Sequence, residues 1–256
     1  SITVLEKANT PMAHYYIGCI CYAYERYAKA CAEWEITVKS IDFAPAYRNM
    51  ALGYYDHLGK TQEAVAALEK AHRLMPESDR IFYEFTQLYK AVNMPVKERY
   101  EFYAKEEKTV YRRDDCTLQY SVLATVTGDR KKAFDILAEH RFHTYEGGEG
   151  YLTQHHAWLH FLTGRDMLAD KQYEKAIEML TSGLTFPKNY GEEKNYFVND
   201  APIYFALANA YEAIGNGKLA NENLQLALST KGAPTIHSYW QTLAYRARGE
   251  ESRAIG

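Results

Sequence analysis

A glycine followed five residues later by an alanine recurs along this chain at a fixed phase: Gly59/Ala64, Gly128/Ala133, Gly215/Ala220 and Gly249/Ala254. The last two pairs lie 34 residues apart, and the first two lie 69 apart, close to twice that period. A period of 34 fits helix–turn–helix units stacked in an array. Each pair has a mechanical reason. The glycine ends one helix where the chain must turn left-handed without a side-chain clash. The alanine lies in the next helix, where two backbones approach too closely for a larger side chain.

The alanine phase runs Ala30, Ala64, a degenerate position near Glu98, then Ala133, Ala176, Ala220 and Ala254. Around the second repeat the pattern is fullest: Leu58, Gly59, Ala64, Leu68, Ala71, Leu74 and Pro76, with the proline ending the second helix. Gly18, Tyr27, Ala30 and Trp34 fill the expected places of the first repeat. Gly164, Tyr173, Ala176 and Leu180 fill those of the fifth. In the third, Phe82, Phe85 and Tyr89 form an apolar stripe, and Pro95 is expected to replace the glycine turn, with Met94 to Arg99 the least regular stretch. Apolar residues at i, i+3, i+4 and i+7 favour amphipathic helices throughout. These residues resemble the tetratricopeptide repeat. The resemblance implies an all-α, right-handed superhelical solenoid over residues 1–256, with about six repeats and partial units at both ends.

Val4 to Ala8 reads as the tail of a second helix whose own first helix is missing, and the last repeat stops at Ala254 as its second helix begins. Natural arrays close with a polar capping helix. The expectation is therefore a fragment of a larger protein.

Hydrophobic residues make up 47%, charged residues 25%, and the net charge is −3, which argues against a nucleic-acid binder needing a basic stripe. No apolar run is long enough to span a membrane and no signal peptide precedes the first helix. The expected compartment is the cytoplasm, with the periplasm left open because the native N-terminus is expected to be absent. Cys19, Cys21, Cys31 and Cys116 have no framework spacing and read as small buried thiols.

His156 and His160 stand four apart on one helix face, beside His155, which is the spacing of a two-histidine metal site. A third ligand would have to come from elsewhere, such as His143 or Glu149. The plainer alternative is that these histidines pack beside Trp158 and Phe161. No metal and no cofactor is expected. No P-loop, GxSxG motif or recognisable carboxylate pair is present, so no catalytic residues are assigned. Gly147-Gly148-Glu149-Gly150 before a helix could cradle an anion, but Glu146 and Glu149 would repel a phosphate.

The spacing departs from the period twice. Ala133 to Ala176 is 43 residues and Ala176 to Ala220 is 44. The extra residues fall in 141–150 and 187–197, both between a second helix and the next first helix. Equivalent junctions of adjacent repeats stack along one edge, so the loops are expected side by side, where repeat proteins commonly bind. Candidate residues are Arg141, Phe142, His143, Tyr145, Glu146, Glu149, Tyr190, Glu192 and Lys194, with Tyr196 adding stacking area. His143 near carboxylates would make binding pH-sensitive. The alternative is that Phe142, Tyr145 and Tyr190 are local core plugs.

Arg141-Phe142-His143, Glu146 to Gly150, Pro187, Asn189 and Gly191-Glu192 also resemble segments of one group of bacterial tetratricopeptide proteins, in which a β-rich domain of unknown function precedes the repeats. That resemblance implies the C-terminal helical half of such a protein. Some of its relatives look connected with carbohydrate metabolism.

In tetratricopeptide repeats the first helix lines the concave face. The corresponding positions give Met12, Tyr15 and Tyr22, then Tyr47, Met50 and Tyr54, then Arg80, Tyr83, Gln87 and Lys90. Tyrosine totals 23 and recurs in this set. It offers apolar area at low entropy cost with one polar tip. Packing against neighbouring helices is the competing role. The carboxylate clamp that grips chaperone tails is incomplete here, since Tyr15 and Cys19 and then Arg80 and Glu84 stand at its places. Two functions remain. One is a non-catalytic scaffold binding a peptide or partner domain, including its own N-terminal domain, through an aromatic groove and the two loops. The other is an accessory module of a carbohydrate-active enzyme, with a sugar at the loops.

Overall fold

In the computed structural model every regular element among the described residues, 2–195, 198–229 and 236–255, is helical. The helices are α1 (Ile2–Ala8), α2 (Pro11–Ala23), α3 (Tyr27–Ser40), α4 (Ala44–Leu52), α5 (Thr61–Leu74), α6 (Asp79–Ala91), α7 (Val96–Lys105), α8 (Glu107–Val110), α9 (Asp114–Thr127), α10 (Arg130–Glu139), α11 (Tyr151–Ala169), α12 (Tyr173–Ser182), α13 (Ala201–Ala213), α14 (Gly217–Ser229), α15 (Ile236–Ala247) and α16 (Glu251–Ile255). No helix among the described residues is long and apolar enough to cross a membrane. Two compact units are formed, Ser1–Cys116 and Thr117–Gly256.

The repeat is built on one turn. Gly59, Gly128, Gly215 and Gly249 take φ of +65°, +93°, +76° and +75°. The other three hairpins make the same left-handed turn with Glu25, Asn93 and Lys171, at φ of +59°, +57° and +60°. All seven stand five residues before a position of the alanine phase. At five of them the next residue donates its N–H to the carbonyl five residues back: Arg26 to Cys21, Met94 to Tyr89, Gln172 to Met167, Asn216 to Tyr211 and Glu250 to Tyr245. These bonds satisfy carbonyls that the helix end would otherwise leave open. In the third repeat, therefore, Asn93 makes the turn. Pro95 only precedes α7, whose 10 residues are regular. The irregular stretch lies later, at residues 106–113. There Thr109 Oγ1 donates to the Pro76 carbonyl at 3.1 Å and an Arg112 N–H to that of Glu77 at 2.7 Å, turning the chain back onto the α5–α6 connection.

The second half of the pattern is steric. Ala30, Ala64, Ala133 and Ala176 are wholly buried, and Ala220 nearly so. Glycines in the first helix of a pair do the same work from the other side. A Cβ on Gly18 would lie 2.4 Å from Trp34 Nε1, and one on Gly164 would lie 2.5 Å from Leu180 Cγ. Trp34 and Leu180 thus reach across to anchor their repeats.

A left-handed backbone costs a non-glycine residue about 1–2 kcal/mol, partly offset because glycine loses more freedom on folding. Lys171 is exposed. Lys171→Gly is therefore expected to stabilise the second compact unit by roughly 0.5–1 kcal/mol, read as a raised urea midpoint. A lowered midpoint would contradict the turn assignment.

Candidate functional site

In the first compact unit α2, α4 and α6 are the first helices of consecutive repeats, and two cavities open along them. The smaller, about 150 Å³, is lined by Cys19, Tyr22, Trp34, Arg48, Asn49 and Leu52. The larger, about 200 Å³, lies between α4 and α6 over Leu68, with Leu52, Tyr55, Asp56, Tyr83, Gln87 and Ala91 around it. Leu52 borders both.

Each wall is positioned by its own bonds. The Tyr22 hydroxyl meets His57 Nε2 at 3.1 Å, and His57 stacks on Tyr27 with ring centroids 3.4 Å apart. Arg48 is held by both carboxylate oxygens of Glu84 and donates to Asn49 Oδ1 at 2.9 Å. Glu84 also takes the Arg80 Nε at 3.3 Å. Arg80 is otherwise exposed and lines neither cavity. The Arg113 guanidinium covers one face of Tyr83 at 4.5 Å. Tyr15 packs edge-on against Phe43 at 5.0 Å and lines neither cavity, while its carbonyl accepts from Trp34 Nε1.

The second repeat corrects the expected groove positions. Tyr54 is buried and its hydroxyl donates to Glu35 Oε1 at 2.7 Å. Burial and that carboxylate push its pKa far up, so it stays a neutral core group. Met50 is buried, and Tyr47 lies half-buried with Lys70 Nζ 5.8 Å from its ring. None of the three borders either of these cavities. One period beyond Tyr15 and Tyr22 stand Asn49 and Asp56, and these do. The set Tyr47, Met50, Tyr54 is one residue late, and one residue on a helix is a turn of about 100°. Keeping the period strict would have found Asn49 and Asp56. A π-helical turn over Gly53–His57 then brings Tyr55, 37% exposed, to the cavity. No periodic signal marks Tyr55.

In the second compact unit the two inserted loops are laced together. The Phe142 N–H donates to the Asn189 carbonyl at 2.8 Å. The Asn189 amide donates to the Leu137 and His140 carbonyls at 2.9 and 2.7 Å, closing the end of α10. Glu192 accepts from the Gly150 and Thr153 N–H groups at 3.1 and 3.4 Å. The anion cradle at the start of α11 is thus filled by a carboxylate of the neighbouring loop, which suits the positive end of a helix. A Cβ on Gly191 would lie 2.9 Å from the Phe142 carbonyl oxygen.

This lacing reassigns several candidates. Phe142 and Tyr190 are 4% and 2% exposed. They are plugs beneath the loops, since an insertion must bury apolar area to hold one shape. Glu192 is spent as a cap and Lys194 on the Asp200 carboxylate. Glu149 accepts from Gly147 N–H at 2.9 Å. Arg141, His143, Tyr145 and Glu146 remain on the surface, with Tyr145 lying over Gly148. Tyr196 and Phe197 lie outside the described residues. Glu192→Ala is expected to cost about 1 kcal/mol, as for loss of a helix cap, and to speed proteolytic nicking within 187–195. An unchanged cleavage rate would contradict the latch.

The histidines beneath the loops are structural. Ser121 Oγ donates to the Ala133 carbonyl, so it accepts the His155 Nε2 proton at 2.8 Å. His156 Nε2 donates to the Ser182 carbonyl at 3.2 Å, leaving Nδ1 to accept from the Tyr190 hydroxyl at 2.8 Å. His160 Nδ1 donates to the His156 carbonyl at 2.9 Å. Burial, with the neighbouring histidines, pushes His155 down to about 3 and His156 to about 4, and burial lowers His160 as well. Each ring engages a different partner, and both nitrogens of His156 are committed. Among the described residues no group of three His, Cys, Asp or Glu side chains is placed to hold a metal.

No protein-family profile matches the chain. Among solved structures it is similar to YrrB, described as a TPR protein with an unusual peptide-binding site, at 15% identity over 84% of this chain and 97% of that one, with a TM-score of 0.50. It is also similar to a tetratricopeptide repeat protein of Parabacteroides merdae (12% identity, 95% and 89% covered, TM-score 0.49) and to PilF of Pseudomonas aeruginosa (17%, 83% and 87%, TM-score 0.46). The fold is that of a tetratricopeptide-type helical solenoid.

Proposed function

We propose that the chain is a non-catalytic interaction scaffold that holds an extended peptide, or a segment of a partner domain, along α2, α4 and α6. The observation that carries this reading is the pair of consecutive cavities sharing Leu52, one at each junction between first helices. Consecutive side-chain-sized hollows along one face suit an extended chain better than a compact small molecule. The peptide-binding site named for YrrB agrees with this use of the fold. The sugar-binding alternative loses support because Phe142 and Tyr190, two of its stacking rings, are buried.

The test is to pan a random-peptide display library on the full chain and measure the enriched peptides by calorimetry. The expected result is one-to-one binding that Leu52→Glu weakens at least about tenfold while the helical melt persists. Enrichment of no peptide would overturn the proposal.

A further inference from the structure

We propose that the larger cavity is a socket for one aromatic side chain of that peptide, selected together with a flanking lysine or arginine that pairs with Asp56. This rests on reading the α2–α4–α6 face as the binding surface and names what that surface chooses. Three features of the cavity argue for it.

The first is size and lining. About 200 Å³ has room for a single large side chain, and the floor is apolar, from Leu52, Leu68 and Leu88. The second is the wall chemistry. Tyr55, on the π-helical turn that follows α4, and Tyr83, on α6, both line the hollow. The Arg113 guanidinium already takes one face of Tyr83. A third ring between them can adopt the edge-to-face arrangements that aromatic groups prefer.

The third feature is charge. Two carboxylates border the cavity, Glu84 and Asp56. Glu84 is saturated by Arg48 and Arg80. Asp56 is exposed, and among the described residues no hydrogen bond or ion pair engages its carboxylate. Asp56 is thus the exposed carboxylate at the mouth, and it sits beside an apolar hollow. A side chain buried in the hollow places its chain neighbours at that mouth. A cation there gains the Asp56 partner, and an anion is repelled. The smaller cavity makes no matching demand for an anion, because its one cation, Arg48, is bound to Glu84.

Two dye-labelled nonapeptides test this with the full chain by fluorescence anisotropy: Gly-Ser-Gly-Lys-Phe-Lys-Gly-Ser-Gly and its counterpart with glutamate for both lysines. A third probe replaces phenylalanine with serine. The lysine–phenylalanine probe should bind about tenfold tighter than the glutamate probe at low salt, and the gap should close at high salt. Asp56→Asn should remove most of the gap. Ala91→Trp and Gln87→Trp, at exposed positions on the rim, should each fill the socket and weaken the lysine–phenylalanine probe by at least about tenfold, with an unchanged melt reporting the fold. Equal binding of the lysine and glutamate probes, undiminished binding of the serine probe, or binding untouched by both tryptophan variants would overturn the proposal. If panned peptides bind and are displaced by Leu52→Glu while these probes fail, the socket is wrong and the scaffold reading stands. If no peptide of any composition binds, both fall.

Discussion

Ala64→Glu is expected to abolish the cooperative unfolding of the first compact unit at room temperature or to lower its stability by about 3–5 kcal/mol. Ala64 is fully buried on α5, five residues after the left-handed turn at Gly59. A carboxylate there has no water and no cation, and an unpaired buried charge is among the costliest single changes. Ala64→Leu tests the same contact by volume alone and should cost about 1–3 kcal/mol through overpacking. The order of the two costs matters. If leucine were tolerated and glutamate only mildly destabilising, α4 and α5 would not meet closely at this position. Urea titrations of the three proteins followed by circular dichroism give the answer directly.

The second large effect is loss of stability in acid. His155 and His156 are held neutral in the fold, at about 3 and about 4. In the unfolded chain each titrates near 6.5. As pH falls below about 6.5 the unfolded state takes up protons that the folded state refuses, so stability drops. The contribution is complete above that pH and is lost as pH approaches 4 for His156 and 3 for His155. For His156 alone the loss is on the order of 3 kcal/mol. His156→Gln can keep bonds to both Tyr190 and the Ser182 carbonyl, yet it does not titrate. The drop in stability between pH 7.5 and 4.5 should therefore be smaller in His156→Gln than in wild type by about that amount. Equal drops in the two proteins would show that His156 is accessible to protons in the fold. The Tyr190 plug hangs on this ring, so the loop 187–195 should become protease-sensitive over the same pH range.

How far the chain could be read in advance differs from feature to feature, for physical reasons. Four of the seven turns announce themselves because glycine is the cheapest residue at positive φ. The other three were hidden because Glu25, Asn93 and Lys171 tolerate the same backbone at a cost that neighbouring packing offsets. The close contacts at Ala30, Ala64, Ala133, Ala176 and Ala220 were legible since only a small side chain fits. The two loops were legible as neighbours because a repeat array converts equal offsets into spatial adjacency. Their spacing held no information about which side chains point inward. Phe142 and Tyr190 are the same residue types whether they plug a loop or greet a ligand. The cavity lining was legible where the period was kept, at Tyr22, Tyr83 and Gln87. It was lost in the second repeat, where a shift of one residue put Met50 in place of Asn49 and left Asp56 out. The break after α7 depends on hydrogen bonds from Thr109 and Arg112 to carbonyls more than 30 residues away. Local pattern cannot register a bond of that span.

The central claim is that recognition takes place on α2, α4 and α6 of the first compact unit, with the inserted loops of the second serving to hold its own helices. Methyl-labelled NMR of the full chain, with leucine methyls assigned and a panned peptide titrated in, separates the two directly. The expected result is saturable shifts at Leu52, Leu68 and Leu88, which line the larger cavity, with Leu137 and Leu152, beside the loops, unmoved. Shifts confined to Leu137 and Leu152 would place recognition at the loops and contradict the claim.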